Sequence, residues 1–260
     1  MTPLLEGRTA LVTGGGGRLG RRIASVFARE GAAVAVADLD LAAARAAAAA
    51  VAGRTAALAV DVADEASVED AIAAAEDELG PLDCLVNCHG YVPNQALLDM
   101  DVAEWDRVFA VNVRGTMLTT RSVARRWVSR GASGAVVNLS SVAARSARRG
   151  AAHYCSSKAA VEMLTQVLAL ELGEHGIRVN AVAPGLVLDD VVEAPGPELA
   201  PYVAAMLEAT PLGRTGSPDE IAEAAAYLAS DRWRYTTGAV LEVTGGVHCG
   251  RTHMPLSGPM

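Results

Sequence analysis

Short runs of apolar residues alternate along this chain with longer stretches in which apolar residues recur every three or four positions. The short runs predict strands at residues 8–13, 32–38, 55–61, 83–87, 134–141, 177–184 and 239–246. The longer stretches predict helices at about 18–30, 41–52, 65–79, 102–130 with a break near 112–115, a helix containing Tyr154 that ends near His175, and 218–230. Because the strands are near-continuous apolar runs, helices should cover both faces of the sheet.

The alternation of strands and helices predicts an α/β fold with a doubly wound parallel sheet of about seven strands and helices on both faces. The chain has no internal repeat, no low-complexity linker and no break in composition. We therefore predict one domain over residues 1–260. Residues 185–211 are irregular apart from one short helix, and the tail at 247–260 lies outside the alternating pattern.

Composition narrows the functional classes. The 260 residues carry a formal net charge of −8, which argues against a nucleic-acid partner. No apolar run is long enough to predict a membrane span, and the first residues lack a signal-peptide pattern. The four cysteines form no disulfide framework, which favours a reduced, cytoplasmic protein. His248, Cys249 and His253 lack a second ligand pair, so we predict no metal site.

A glycine-rich loop, TGGGGRLG, lies between the first predicted strand and the first predicted helix. Glycines let the backbone approach a ligand closely, and the helix amino terminus offers N–H groups to a pyrophosphate. Asp38 ends the second strand, 24 residues after Gly14. A carboxylate there can accept hydrogen bonds from the adenosine ribose hydroxyls and repel a 2′-phosphate. Asp40 is better placed than Asp38 to cap the following helix.

Tyr154 and Lys158 are four residues apart, which places both on one face of a helix. A nearby ammonium favours the phenolate, so the pair is a candidate acid/base, and Ser141 could hold the reacting oxygen. The same spacing also occurs on solvated helix faces, so a catalytic role for this pair depends on further motifs elsewhere in the chain.

With these motifs in order over about residues 6–246, the sequence resembles the short-chain dehydrogenase/reductase family, with its Rossmann-like fold. The resemblance implies a catalytic tetrad of Asn112, Ser141, Tyr154 and Lys158. Asn112 would kink its helix and bind a water that links Lys158 to solvent. Lys158 would hold the nicotinamide ribose and lower the pKa of Tyr154. The implied cofactor contacts are Gly14, Gly16, Gly17, Arg18, Leu19, Gly20, Asp38, Leu39, Asp61, Val62, Asn87, Gly90, Tyr154, Lys158, Pro184, Gly185, Val187 and Asp189.

The resemblance also carries expectations for function and assembly. It implies an NAD-dependent oxidoreductase that interconverts a secondary alcohol and a ketone, as a homotetramer or homodimer. Residues 186–211 would close over the substrate, and their apolar character favours a hydrophobic substrate body.

Departures from the family pattern leave alternatives open. Arg18 stands where a glycine is usual and resembles the NADP-linked pteridine-reductase branch, which reduces C=N or C=C bonds. A nucleotide-sensing module without catalysis is a third reading, and the complete tetrad opposes it. Cys88 and His89 are interpreted as packing adjustments. Three arginines, Arg145, Arg148 and Arg149, form either a solvated loop or a rim for an anionic substrate group.

Overall fold

The computed structural model describes residues 3–193 and 199–250, and its centre is a sheet of seven parallel strands. The strand order is β3-β2-β1-β4-β5-β6-β7. Strands β2 and β3 are added on one side of β1 and strands β4 to β7 on the other, so the order of strands reverses between β1 and β4. Such a switch point opens a crevice at the carboxyl edge of a doubly wound sheet. The strands are β1 Thr9–Thr13, β2 Ala33–Asp38, β3 Thr55–Ala59, β4 Cys84–Asn87, β5 Gly134–Leu139, β6 Ile177–Pro184 and β7 Val240–Val243.

Helices cover both faces of the sheet, as the apolar strands predict. Buried side chains of α1 and α8, including Phe27 and Ile221, form one core with the sheet. Side chains of α3 and α5, including Ile72 and Trp127, form a second core on the other face. The helices are α1 Arg18–Arg29, α2 Leu41–Ala49, α3 Glu65–Leu79, α4 Val102–Phe109, α5 Gly115–Ser129, α6 Ala152–Leu172, α7 Pro201–Ala209 and α8 Pro218–Ala229.

The predicted elements are confirmed, and their bounds differ most where the sequence gives a weak stop. The helix predicted at 41–52 ends at Ala49, and the last strand is four residues long instead of eight. The break predicted within 102–130 is a π-helical turn over Ala110–Arg114, between α4 and α5. Within the described residues, short 3₁₀ turns over Leu97–Asp99, Val142–Ala144 and Asp231–Trp233 lie outside the predicted elements, and the end of the helix predicted to stop near His175 is a 3₁₀ turn over Gly173–His175.

The segment predicted to close over the substrate is described in two pieces. Val187 forms an isolated bridge with Gly216, and α7 follows after residues 194–198, which lie outside the described part. Most of the predicted tail, including His253, also lies outside it. Within the described residues, no helix has the length and apolar character to cross a membrane.

Candidate active site

The glycine-rich loop after β1 is built so that two of its glycines cannot carry a side chain. A Cβ on Gly14, whose φ is +63°, would lie 2.6 Å from the Cα of His89. A Cβ on Gly20 would lie 2.1 Å from the carbonyl oxygen of Gly14. Both distances are shorter than real contacts allow, so glycine is required where the segment after β4 approaches the loop and where α1 approaches it.

Helix α1 begins without a side-chain cap, in contrast to four other helices. Gly17 precedes the helix and has no side chain to accept a hydrogen bond, and the first turn of the helix contains no acidic residue. Side chains of Asp40, Asp64, Asp101 and Ser217 cap α2, α3, α4 and α8. The first N–H groups of α1 are therefore available to an external acceptor, which fits the phosphates of a dinucleotide.

Asp38 ends β2 beside this loop. Its Oδ2 accepts a hydrogen bond from the Gly16 N–H at 2.9 Å, and its Oδ1 accepts one from the Asp40 N–H at 3.1 Å. Asp40, as predicted, caps α2 by accepting from Ala42 and Ala43. A cavity of about 260 Å³ joins Asp38, predicted at the adenosine ribose, to further predicted cofactor contacts: Gly14, Gly17, Leu39, Asp61, Val62 and Gly90.

Arg18 borders the loop on its other side, in an outer groove of about 690 Å³ that Arg21 and Arg22 also line. Asp189 lies in this groove too, with its Oδ2 at 3.9 Å from an Arg21 nitrogen. It lines neither inner cavity, so its predicted cofactor contact stays a prediction without geometric support.

A second inner cavity, of about 360 Å³, brings three of the four tetrad residues to the loop. It is lined by Ser141, Tyr154 and Lys158 and by the following predicted cofactor contacts: Gly14, Gly17, Arg18, Leu19, Gly20, Gly90, Pro184, Gly185 and Val187. Ser141 follows β5, and Tyr154 and Lys158 lie in the first two turns of α6. The carboxyl end of β5 and the start of α6 therefore place these three side chains in the same cavity.

Burial shapes the acid/base properties of this cavity. Burial raises the pKa of Tyr154, while the hydrogen bond with Ser141 and the charge of Arg148 act against that increase. Lys158 is buried, donates to the carbonyl of Leu139 at 2.6 Å, and lies 5.9 Å from the centre of the Tyr154 ring. Burial lowers the pKa of Lys158 to about 8. The predicted lowering of the Tyr154 pKa by Lys158 stays a prediction for the cofactor-bound enzyme.

Asn112 sits in the π-helical turn, which lies at the break predicted within this helical region. Its side-chain nitrogen donates to the carbonyl of Tyr91 at 3.1 Å and to Oγ of Ser157 at 2.9 Å, and its oxygen accepts from the Tyr91 N–H at 2.7 Å. A Cβ on Gly90 would lie 3.7 Å from Asn112 Oδ1 and 3.8 Å from Lys158 Nζ. Asn112 therefore joins the segment after β4 to α6, at the residue that precedes Lys158.

Asn87 has a structural position. Its amide donates to Thr120 and Asn138 and accepts from Thr119, within a buried network. The side chain lines neither inner cavity, so its predicted cofactor contact stays a prediction. The predicted cofactor contact was based on the place of Asn87 at the end of β4. The sequence alone does not reveal its hydrogen-bond partners, because they lie far from it along the chain.

His89 and Cys88 lie between the loop and the tetrad. His89 Nδ1 is 2.7 Å from Oγ1 of Thr13, and burial, followed by the charge of Lys158, lowers the pKa of His89 to about 3. Burial raises the pKa of the Cys88 thiol to about 12. An unprotonated imidazole and a protonated thiol agree with the predicted packing roles.

One residue near the tetrad, Glu162, was missed in the sequence, and one of the three arginines named there, Arg148, has surroundings that the sequence did not reveal. Glu162 of α6 is buried and accepts from Ser140 Oγ and from Arg145 Nε, each at 2.9 Å. Arg148 lies near the Tyr154 ring. No local pattern distinguishes Arg148 from Arg145 and Arg149, because their different surroundings come from α6, α7 and β7.

Comparisons with known proteins agree with this geometry. A family model described as Enoyl-(Acyl carrier protein) reductase matches residues 17–248. A (3R)-3-hydroxyacyl-CoA dehydrogenase from Rattus norvegicus is 38% identical over 254 residues, covering 94% of this chain and 97% of the relative. An L-rhamnose 1-dehydrogenase (NAD(P)(+)) from Sphingomonas sp. (strain SKA58) is also 38% identical over 254 residues, covering 94% and 98%.

A crystal structure of a short-chain type dehydrogenase/reductase from Mycobacterium marinum superimposes with a TM-score of 0.87. It is 35% identical in sequence, and the match covers 96% of this chain and 98% of that one. The fold, the site and the near-complete coverage agree, so the chain belongs to the short-chain dehydrogenase/reductase family and is an NAD(P)-linked oxidoreductase that acts on CH–OH or C=O groups.

Proposed function

We propose that this enzyme uses NAD to interconvert a secondary alcohol and a ketone, with Tyr154 as the acid/base. The observation that carries the proposal is the inner cavity shared by Ser141, Tyr154 and Lys158 with the glycine-rich loop. The chain's residues suit a dinucleotide, because the loop excludes side chains and the N–H groups of α1 lack a cap. When bound, the dinucleotide supplies or accepts the hydride.

Each of the four tetrad residues has a separate role in the proposed reaction. Tyr154 passes a proton to or from the substrate oxygen, and Ser141 donates a hydrogen bond to that oxygen. Lys158 holds the nicotinamide ribose hydroxyls, and its positive charge favours the ionised phenol. Asn112 keeps α6 in position through its bond to Ser157, which is next to Lys158 in sequence.

The preference for NAD rests on Asp38. Its carboxylate is held beside the loop, in the cavity predicted to receive the adenosine. A 2′-phosphate would bring a second negative charge to this carboxylate, whereas two free hydroxyls could donate to it. Arg18 is the opposing feature, since its guanidinium could attract that phosphate.

A hydride-transfer assay tests the proposal. The purified enzyme is offered NAD or NADP with a panel of secondary alcohols, and NADH or NADPH with the matching ketones, while absorbance of the reduced cofactor is followed. We expect turnover with NAD that depends on Tyr154. Absence of turnover with every alcohol and ketone would overturn the proposed function.

A second candidate is NADP-linked reduction of a C=C or C=N bond. Arg18, Arg21 and Arg22 along the outer groove favour it, and the matched family model is described as an enoyl reductase. Asp38 and the four-residue spacing of Tyr154 and Lys158 oppose it. The same assay with enoyl and dihydropteridine substrates separates the two candidates.

Further features stay predictions. The single-domain organisation, the homotetramer or homodimer, the cytoplasmic location and the apolar substrate body follow from the sequence and the family resemblance. Analytical ultracentrifugation would measure the size of the oligomer, and a series of alcohols with longer chains would measure the apolar contribution.

A further inference from the structure

Arg148 lies between the catalytic tyrosine and the helix that follows the segment over the site. Its guanidinium carbon is 5.9 Å from the centre of the Tyr154 ring and 5.5 Å from the centre of the Tyr202 ring in α7. Cation–π contacts act over such distances, so two rings hold the guanidinium beside the reacting phenol. A cation in this position can meet a substrate group close to the carbinol carbon.

The three arginines of the loop differ in their partners. Arg145 contacts two carboxylates, Glu162 and Glu242, each at 2.9 Å. Arg149 is exposed to solvent. Arg148 forms no ion pair with a residue in the described ranges, and its Nε is shielded from water without a hydrogen-bond partner there. The Arg148 charge therefore has no neutralising partner within the described ranges, and a guanidinium can donate to a carboxylate from outside the chain through its terminal nitrogens.

We propose that Arg148 binds a carboxylate of the substrate, which makes a short hydroxy acid and its oxo acid the substrate class of this enzyme. The planar guanidinium matches a carboxylate by two parallel hydrogen bonds. This inference rests on the proposed function, because Tyr154 must handle the oxygen of the same molecule.

The short distance from Arg148 to the Tyr154 ring favours a carboxylate over the phosphate of an acyl carrier. In a coenzyme A or carrier-protein thioester, a long pantetheine arm separates the phosphate from the reacting acyl group. A phosphate at Arg148 would leave no room for that arm between the guanidinium and the phenol. The carboxylate of a free acid can lie a few bonds from the carbinol carbon and contact both residues.

The test compares each substrate with its neutral counterpart. Rates with 2-hydroxybutyrate and 3-hydroxybutyrate are measured beside their methyl esters and 3-hydroxybutyryl-CoA, in wild type and in the variants Arg148→Ala, Arg148→Lys and Arg149→Ala. In wild type we expect at least one acid to exceed its ester in kcat/KM by about tenfold or more. Arg148→Ala should lower kcat/KM for that acid by about 10- to 100-fold and change the ester by less than about threefold.

The controls separate charge from folding. Arg148→Lys should recover part of the preference for the acid, and Arg149→Ala should leave both substrates at wild-type rates. A binding measurement by calorimetry, with acetoacetate and the Tyr154→Phe enzyme, should show the same loss on Arg148→Ala. An equal fall for acid and ester would identify Arg148 as a structural contact with α7 and overturn the inference. Wild-type preference for an ester or thioester would also overturn it while leaving the proposed function intact.

Discussion

The carboxylate of Asp38 accepts a hydrogen bond from the backbone N–H of Gly16 at 2.9 Å. This bond links the end of β2 to the glycine-rich loop, so the carboxylate cannot turn away without losing a loop contact. Its second oxygen accepts from the Asp40 N–H at 3.1 Å. Two backbone donors thereby fix the negative charge at the edge of the cavity proposed for adenosine. The strength of cofactor discrimination should follow from this fixed position.

Replacement of Asp38 tests that discrimination. Wild type should prefer NAD over NADP by at least about tenfold in kcat/KM, equivalent to about 1.4 kcal/mol. Asp38→Ser should shrink or reverse the preference, because the repelling charge is lost. Asp40→Ala removes a charge two residues away and the cap of α2, so it should cost about 1 kcal/mol of stability and leave the preference unchanged. Equal use of both cofactors by wild type would contradict the role given to Asp38.

Arg18 is tested by its effect on both cofactors. If the guanidinium contacts the pyrophosphate, Arg18→Ala should weaken binding of NAD and NADP alike, by about three- to tenfold in Kd. Fluorescence titration of NADH and NADPH measures both constants. Arg45→Ala, on the second helix, is the matched control for loss of one positive charge. A selective loss of NADP binding would instead assign Arg18 to a 2′-phosphate.

Tyr154→Phe removes the ionisable oxygen and keeps the ring. We expect kcat to fall by at least about 10²-fold, the lower range for general acid–base catalysis, with little change in the Kd for NADH. Tyr235 is fully exposed, so Tyr235→Phe should retain wild-type turnover. Near-normal turnover by Tyr154→Phe would refute the tetrad assignment.

Lys158 links folding stability to pH, because its buried ammonium has a pKa of about 8 in the folded protein and near ~10.4 when unfolded. Below pH 8 Lys158 is charged in the folded state, so its desolvation destabilises the folded protein in full. As the pH rises from 8 to 10.4 the folded state loses this proton, and the destabilisation decreases. The unfolding free energy of Lys158→Met, minus that of wild type, should therefore be about 3 kcal/mol larger at pH 7 than near pH 10.4.

Urea unfolding of both proteins across this pH range measures the difference, in which the other titrating groups cancel. Lys158 is the only lysine in the sequence, so an enzyme labelled with ¹⁵N-lysine gives one side-chain signal whose titration reports the pKa directly. A difference in unfolding free energy that does not vary with pH, or a lysine that titrates near 10, would rule out the depressed pKa.

The sequence specifies the ends of elements where a residue provides a physical stop. Helix α3 has the predicted bounds, because Asp64 caps its start and Gly80, with a φ of +89°, ends it. Helix α2 also starts where Asp40 predicts, but its alanine run offers no signal for its end. The last strand is shorter than its apolar run, since β6 pairs with only four of its residues.

The site could be predicted as far as it depends on motifs near the carboxyl ends of strands. Topology alone gathers Gly14, Asp38 and Ser141 at one edge of the sheet, so order along the chain was sufficient for them. The side-chain partners of Asn87, and the lack of an ion pair for Arg148 among the described residues, depend on how segments far apart in sequence pack together. Neither periodicity nor spacing carries that information.

The uncapped start of α1 has a consequence for the life of the protein in a cell. A bound dinucleotide would complete the first turn of this helix, so part of the binding free energy is folding free energy. At a concentration of 100 times its Kd, a ligand that binds only the native state stabilises it by about 2.7 kcal/mol. Proteases degrade the transiently opened chain, so changes of this size alter protein abundance several-fold. The amount of this enzyme should therefore rise and fall with the supply of its own coenzyme.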